Sequence, residues 1–555
     1  MTDSPPDSVS LPPFRPLTSI TLGGFQVFDT KTTIPLGRIT LFYGPNSAGK
    51  SAIEDALQIF SEAIKVPTRG NPTPSFDTAV YERFRRLSPH WRKSSGPYSE
   101  WAKSMHIGVT ARLTQSLNAA LLSHYPRDSA SAHASVGPSS AEVAITYRRW
   151  HTDRTGFLIS RDLLLSTDGI PLAILRERKA LGFNLNNPVL RHFQFRANHS
   201  AFFGEFRHLL TCQNGWVWLH SSGILLDDDR TILKELVLDE VTTDERISHP
   251  QYATFRSALN ELCDLFDLLH LQITRSLAIE HYVVPASRRV PTPKDLTFLV
   301  HEHMDLDFRN LTYLQELFPA PNYDDPLYRL AVAVAATQRG AIGEVEPPDA
   351  YADVNHALSD HLFLDRGYQL TAHFTSIVDD ESLRLHHEIG GNIEQFAPVL
   401  VRLGLVDSQN RHFTFEEVGS GLGYVLPVLA AVCDKLGSVF LIQQPELHLH
   451  PSLQAALADV FLSELSKSDG RQFVVETHSE HFLLRILKRV RQSQTPYGLP
   501  EELRVGPDDI VIVYFEASPF GLTNAKRLRV SPDGDFLDRW PNGFFPERDF
   551  ELFDE

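Results

Sequence analysis

Gly44-Pro45-Asn46-Ser47-Ala48-Gly49-Lys50-Ser51 fits the pattern G-x-x-x-x-G-K-[ST] at every fixed position, directly after an apolar run, Arg38 to Tyr43, and before a helical segment. Glycines let the backbone close around a phosphate, so that N–H groups and the start of the following helix face the anion. Lys50 is then placed to hold the β- and γ-phosphates of ATP, and Ser51 a Mg2+ ion. The plainer reading is a chance Gly-rich turn before a helix; a strand before the motif and a helix after it favour the phosphate loop.

A second set of polar residues lies far down the chain. Val439-Phe440-Leu441-Ile442-Gln443-Gln444-Pro445-Glu446 is an apolar strand ending in polar side chains. NTPases of this kind normally carry Asp and then Glu where this chain has Gln443 and Gln444: the Asp secures Mg2+ through water, and the Glu takes a proton from the attacking water. Gln443 can still stand indirectly at Mg2+, and Gln444 can orient a water, but an amide accepts no proton. General-base catalysis is typically worth 10²–10⁴-fold, roughly 3 to 5 kcal/mol, so hydrolysis is expected to be slow unless another carboxylate substitutes. Glu446 and Glu476 are the candidates. Their plainer readings are a structural salt bridge for Glu446 and a helix cap for Glu476. Glu476-Thr477-His478-Ser479 closes another apolar strand, Phe473-Val474-Val475, where His478 is expected to sense the γ-phosphate. Val418-Gly419-Ser420-Gly421-Leu422-Gly423-Tyr424 is a Gly-rich turn predicted to open a helix from Val425 to Leu436, and its N–H groups offer an anion site.

Taken together, GPNSAGKS, VGSGLGYVLPVL (418 to 429), QQPELHLHP (443 to 451), ETHSEHFLLR (476 to 485) and WPNGFF (540 to 545) resemble the overcoming-lysogenisation-defect-like branch of ABC-type ATPases, in particular AAA-family proteins with a DUF3696-like C-terminal region. The resemblance implies two heads that sandwich two ATP molecules, with Lys50 and Ser51 of one subunit facing Ser420 and Gly421 of the other. It also implies a homodimer or higher homo-oligomer through the ATPase heads. Tyr282-Val283-Val284-Pro285-Ala286-Ser287-Arg288 looks like the Y-x-x-P-x-x-R segment of these proteins; Arg288 either lies near the nucleotide or pairs with acids in a loop. The chain departs from the pattern at Gln443, and at Gly423-Tyr424 where Ser-Gln is frequent. Relatives include the PtuA-like ATPase subunit of Septu and retron-associated anti-phage systems, which works with a separate effector such as an HNH-type nuclease. This likeness implies an ATP-driven switch that senses a trigger and controls a partner. The alternatives are a nucleotide-locked scaffold with little hydrolysis and a self-contained ATP-regulated nuclease. No Toprim-like acidic set or His-Asn-His pattern supports the last.

The elements that must position these residues give an α/β fold: a P-loop NTPase with an ABC-ATPase-like head, its mixed, mostly parallel sheet split by a long, largely helical insert. Residues 1–16 read as a disordered tail and 17–67 as the N-terminal part of the head. Residues 68–395 read as the insert, with helices over Phe255 to Leu269 and from Asp325-Pro326 onward, and an exposed loop over Tyr125 to Glu142. Residues 396–516 alternate strands (Ser438 to Ile442, Gln472 to Val475, Asp509 to Phe515) with helices (Ser452 to Leu465, His481 to Val490), the signature of right-handed parallel crossovers. Residues 517–555 read as a tail docked on the head. Both ends of the chain are expected to share one sheet.

The net charge of −17 argues against a protein that coats nucleic acid with its whole surface, while leaving a local basic groove open. Arg83, Arg85, Arg86 and Lys488, Arg489, Arg491 could contact phosphates, or form solvated faces. Cys212, Cys263 and Cys433 are too far apart for a disulfide framework or a zinc site and fit a reducing, cytoplasmic setting. The longest apolar run, Val425 to Cys433, contains Pro427 and falls far short of the about 20 residues that span a bilayer, so no membrane association is expected. His448 and His450, and His301 and His303 around Glu302, invite a metal reading but lack further ligands at a recognisable spacing. Asp533-Gly534-Asp535 reads as a polar turn leading into the tail rather than a nuclease motif.

Overall fold

The computed structural model describes residues 17–46, 48–64, 104–112, 140–151, 157–176, 180–184, 186–187, 210–213, 216–220, 281–288, 296–300, 325–339, 350–364, 366–376, 380–390, 399–434, 439–468, 470–495, 498–517 and 523–541. The expectations for the tail 1–16, for Phe255 to Leu269, and for Arg83, Arg85, Arg86, Cys263, His301, Glu302 and His303 lie outside these residues. So do Ser47 and Leu436. The chain divides into two compact units, one made of Met1–Gly37, Tyr43–Ile279 and Val513–Arg527, the other of Arg38–Phe42, Glu280–Ile512 and Leu528–Glu555.

In the first unit, β1 (Leu17–Gly23) and β2 (Thr32–Pro35) join β4 (Ser104–Arg112), β5 (Ser140–His151), β6 (Phe157–Thr167), β7 (Ile170–Arg176), β8 (Ala180–Asn184), β9 (Leu210–Gln213) and β10 (Trp216–His220). They form one sheet in the order β2-β1-β4-β5-β6-β7-β8-β10-β9, antiparallel throughout. The insert is expected to be largely helical; among the described residues of 68–395, strand outweighs helix. The reason is period-two patterning. In β5, Ala141, Val143, Ile145 and Tyr147 are buried while Glu142 and Thr146 are half-buried. Asp168 (φ 46°) and Gly169 (φ 75°) make a two-residue turn between β6 and β7, with the left-handed backbone that a tight hairpin demands. Asp168 Oδ1 also accepts from Ser140 N at 2.9 Å, tying the hairpin to β5. Asn187, fully buried, donates to Ile170 O at 2.9 Å and so secures the other side of the turn.

In the second unit the core is a parallel sheet. β11 (His281–Val284), β16 (Val439–Gln443), β17 (Gln472–Glu476) and β3 (Ile39–Tyr43) lie side by side, each pair parallel, with the start of β18 (Ile510–Ala517) next to β3. Strands buried on both faces read as continuous apolar runs, which is why Ile39 to Tyr43 and Val439 to Ile442 are wholly buried. The expected strands fall within a residue or two of those observed, and the two ends of the chain share this sheet. The crossover from β16 to β17 is α6 (Pro451–Ser466), capped by His450 and opened by a first-turn proline. After β17 comes α7 (Glu480–Ser493), capped by the Ser479 hydroxyl, which accepts from Phe482 N at 3.0 Å. Phe482, Leu483, Ile486, Leu487 and Val490 bury one face of α7 at helical spacing.

A smaller antiparallel sheet in the same unit pairs β14 (Val399–Val406) with β12 (Thr297–Val300), β13 (Gln369–Ser376) and β15 (His412–Phe413). Beside it lie α2 (Pro326–Arg339), whose cap Asp325 accepts from Leu327 N at 2.9 Å as the Asp-Pro pair predicts, and α3 (Ala350–His356), while α4 (Asp380–Ile389) follows β13 in the chain. α5 (Ser420–Val432) starts five residues before the expected Val425, so Gly421 and Gly423 lie inside the helix. Gly419, at φ 89°, is the residue that turns the chain into it. The Asp533-Gly534-Asp535 segment is the expected polar turn: Arg491 on α7 donates to Asp533 O at 2.6 Å, and Gly534 approaches Leu487 O too closely for a Cβ. No helix among the described residues is long and apolar enough to cross a membrane.

Candidate nucleotide site

In the first unit, the loop Gly44 to Gly49 leads from the end of β3 into α1 (Lys50–Ile64). Gly44 has φ 136°, and a Cβ there would sit 2.4 Å from Phe515 O. Gly49 has φ 92°, and a Cβ would meet Val27 Cγ2 at 2.3 Å. Both fixed glycines of the motif are thus demanded by the backbone and by the neighbouring residues. Lys50 is buried and donates to Gly44 O at 2.8 Å and Pro45 O at 2.9 Å, so its ammonium lies over the loop. Ser51 is exposed in the first turn of α1, whose N-terminus favours an anion. The loop is held from outside by Thr523 on β19 (Thr523–Leu528), whose hydroxyl donates to Ala48 O at 2.7 Å. Nothing in the sequence pointed to Thr523. Ala52, Ile53, Ala56 and Phe60 anchor α1 through one buried face.

In the second unit, Arg288 organises the end of β16. Its guanidinium donates to Gln443 O at 2.9 Å, Gln444 O at 2.7 Å and Tyr424 O at 3.0 Å. Charge-assisted bonds to three carbonyls fix the turn after the strand. Gln443 Oε1 accepts from Ala286 N at 3.0 Å, so the amide joins β16 to the loop after β11 where an aspartate would have offered a charge. Gln444 takes φ 43° and donates its N–H to Glu476 O at 2.6 Å.

Glu446 and His478 are brought together: Glu446 Oε1 accepts from the backbone N–H of His478 at 2.8 Å. Glu446 is 7% exposed, and its Oε2 is buried without a hydrogen-bond partner. Burial pushes its carboxyl up, against the pull of the His478 N–H and the Arg288 charge. Arg288, whose charge favours the carboxylate, is itself committed to carbonyls. Glu476 ends β17 in register with Phe42 of β3, two residues before the phosphate loop begins. The expected sensing stretch is thus carried to the carboxyl end of the parallel sheet, where α/β folds bind ligands.

Ser420 and Gly421 open α5, and a Cβ on Gly421 would lie 3.1 Å from His448 O. Tyr424 stacks on His448 at 4.1 Å. His448 and His450 thus have structural work, stacking and helix capping, in place of the metal reading. Arg489 pairs with Asp459 at 2.7 Å and Arg491 with Asp535 at 3.0 Å. Cys433 is a free, buried thiol, and burial raises its pKa.

Comparison with known proteins adds a family. A model described as an AAA domain, putative AbiEii toxin, type IV toxin–antitoxin system, matches residues 265–485. Residues 265–485 are similar to this AAA-type ATPase domain. The match to this AAA domain takes in Arg288, α5, the Gln443-Gln444 turn and His478, while the phosphate loop at 44–51 lies before it, as a head split in sequence requires. No curated protein matches the chain. Among solved structures, the Smc head bound to the C-terminal winged-helix domain of ScpA is 11% identical, covering 93% of this chain and 98% of that one, with a TM-score of 0.39. The SMC head domain from Thermotoga maritima is 9% identical, covering 93% and 99%, with a TM-score of 0.35. At these values the likeness says nothing of function.

Proposed function

We propose that this chain is an ATP-binding switch that hydrolyses ATP slowly and controls a separate effector, such as an HNH-type nuclease, in an anti-phage module. The observation that carries ATP binding is the loop from Gly44 to Lys50, where two positive-φ glycines leave no room for a side chain and Lys50 lies over the loop carbonyls. Gly44, Pro45, Asn46, Ser47, Ala48 and Gly49 would cradle the phosphates, Lys50 would bind the β- and γ-phosphates, and Ser51 would contact Mg2+. When bound, Mg2+ neutralises phosphate charge. Gln443 would act on it only through water, since its amide oxygen already serves Ala286.

Among the carboxylates, Glu446 is the better candidate to accept a proton, because it is buried, raised in pKa and has one oxygen without a hydrogen-bond partner. Gln444 would orient the water, Glu476 would support it, and His478 would sense the γ-phosphate. The resemblance to head-dimer ATPases supports Ser420 and Gly421 facing a second copy's nucleotide. The defence setting rests on that same resemblance and on the toxin–antitoxin wording of the matched family.

The glutamine pair favours a second reading, a nucleotide-locked scaffold. Nucleotide binding and steady-state hydrolysis by the purified chain and Lys50→Ala decide between them. Binding and turnover both lost in the variant, by more than about 100-fold, is expected of the switch. Tight Lys50-dependent binding with no turnover supports the scaffold, and absence of binding by the unaltered chain refutes both.

A further inference from the structure

Helix α3 does not end at His356; it widens into a π-helical turn, Ala357–Leu362, closed by Phe363 N donating to Leu358 O at 2.8 Å. π turns are rare and cluster at functional sites. This one has a geometric result: it aligns residues five apart, and the rings of His356 and His361 come to 4.9 Å between centroids. The 3-10 turn Glu501–Leu503, which follows α7, brings Glu502 to the same place. One ligating atom each of His356, His361 and Glu502 lies within 4.8 Å of the other two.

The hydrogen bonding of the three fits a ligand set better than a structural cluster. His356 Nδ1 faces Asp360 Oδ2 at 2.5 Å, which turns Nε2 toward Glu502 Oε1 at 3.7 Å. A carboxylate behind a histidine is the usual support for a metal-binding imidazole. Asp360 is itself held by the Ser359 hydroxyl at 2.6 Å. Nε2 of His361 is buried and has no hydrogen-bond partner, a cost that a bound cation would remove. The three residues border a cavity of about 790 Å³ that also receives His450, Arg485 and Arg489.

We propose that His356, His361 and Glu502 form a zinc site whose fourth position opens into this cavity. Two imidazoles and one carboxylate suit Zn2+ and leave a place for water or an anion. Zinc–ligand bonds of about 2.0–2.2 Å place tetrahedral ligands roughly 3.3–3.6 Å apart, so the His356–Glu502 pair already has nearly the required spacing. Bound zinc ties the π turn of α3 to the segment after α7 within the second unit. The site is separate from the nucleotide residues and does not depend on how they are read.

The test is metal analysis of the full-length chain purified without chelator, together with Zn2+ affinity by competition and the visible spectrum after Co2+ replacement. About one zinc per chain and intense tetrahedral Co2+ bands are expected. Affinity should fall more than about 100-fold in His361→Gln and Glu502→Gln, and about 10- to 100-fold in Asp360→Asn, which leaves all three ligands in place. A cooperative thermal unfolding transition like that of the unaltered chain serves as the check that each variant is folded; if a variant does not fold, the stoichiometry and Co2+ spectrum of the unaltered chain decide. No zinc binding, iron in its place, or affinity unchanged in folded variants overturns the assignment.

Discussion

Gly44 and Gln444 occupy the same place in two strands, each the first residue after a wholly or nearly buried strand, and each has positive φ, 136° and 43°. At Gly44 the geometry excludes any side chain, because Phe515 O occupies the space of a Cβ. At Gln444 a side chain is kept despite a left-handed backbone, held there by Arg288 and by the bond to Glu476 O. A left-handed non-glycine residue costs about 1 kcal/mol and persists where its surroundings over-determine it, commonly at functional sites. The contrast separates a turn closed to any side chain by a neighbouring carbonyl from one that keeps a polar side chain on a left-handed backbone.

The largest effect is expected at the first turn. Gly44→Ala should abolish nucleotide binding and destabilise the fold by about 3 kcal/mol or more, because the clash is with backbone; ATP titration and urea unfolding measure both. Unimpaired binding in this variant would break the comparison at its root. Arg288→Ala comes next: three carbonyls lose a charged donor, which should cost about 2–4 kcal/mol in urea unfolding and lower turnover more than binding. Gln444→Gly should relieve the backbone and leave stability unchanged or raise it by up to about 1 kcal/mol, while turnover falls. A large loss of stability would show that Gln444 packs rather than presents.

The last effect is a pH dependence. Since burial raises the Glu446 pKa above its unfolded value of 4.5, its contribution to stability is fully present below that value and is lost as pH rises through the folded pKa. Glu446→Gln should therefore gain relative to the unaltered chain as pH increases across that window, by no more than about 1.4 kcal/mol per pH unit. Thermal unfolding from pH 4 to pH 8 gives the sign; a difference that shrinks with pH would place Glu446 in a favourable ion pair instead.

The sequence by itself determined what local covalent and hydrophobic patterns determine. GPNSAGKS was legible because its chemistry lies within one turn, and β16, β17, α6 and α7 because parallel strands and amphipathic helices leave clear runs and periods. The antiparallel sheet of the first unit was hidden by its mixed composition, although Asp168-Gly169 between two apolar stretches is a strong hairpin signal that could have found it. Only the tertiary structure decided what Arg288, Gln443 and Thr523 do, since each acts on backbone atoms more than 100 residues away and nothing at either end marks the partner. The same holds for His356, His361 and Glu502: an ordinary helix would not align residues five apart, and the π turn that does so is set by packing rather than by spacing in the chain.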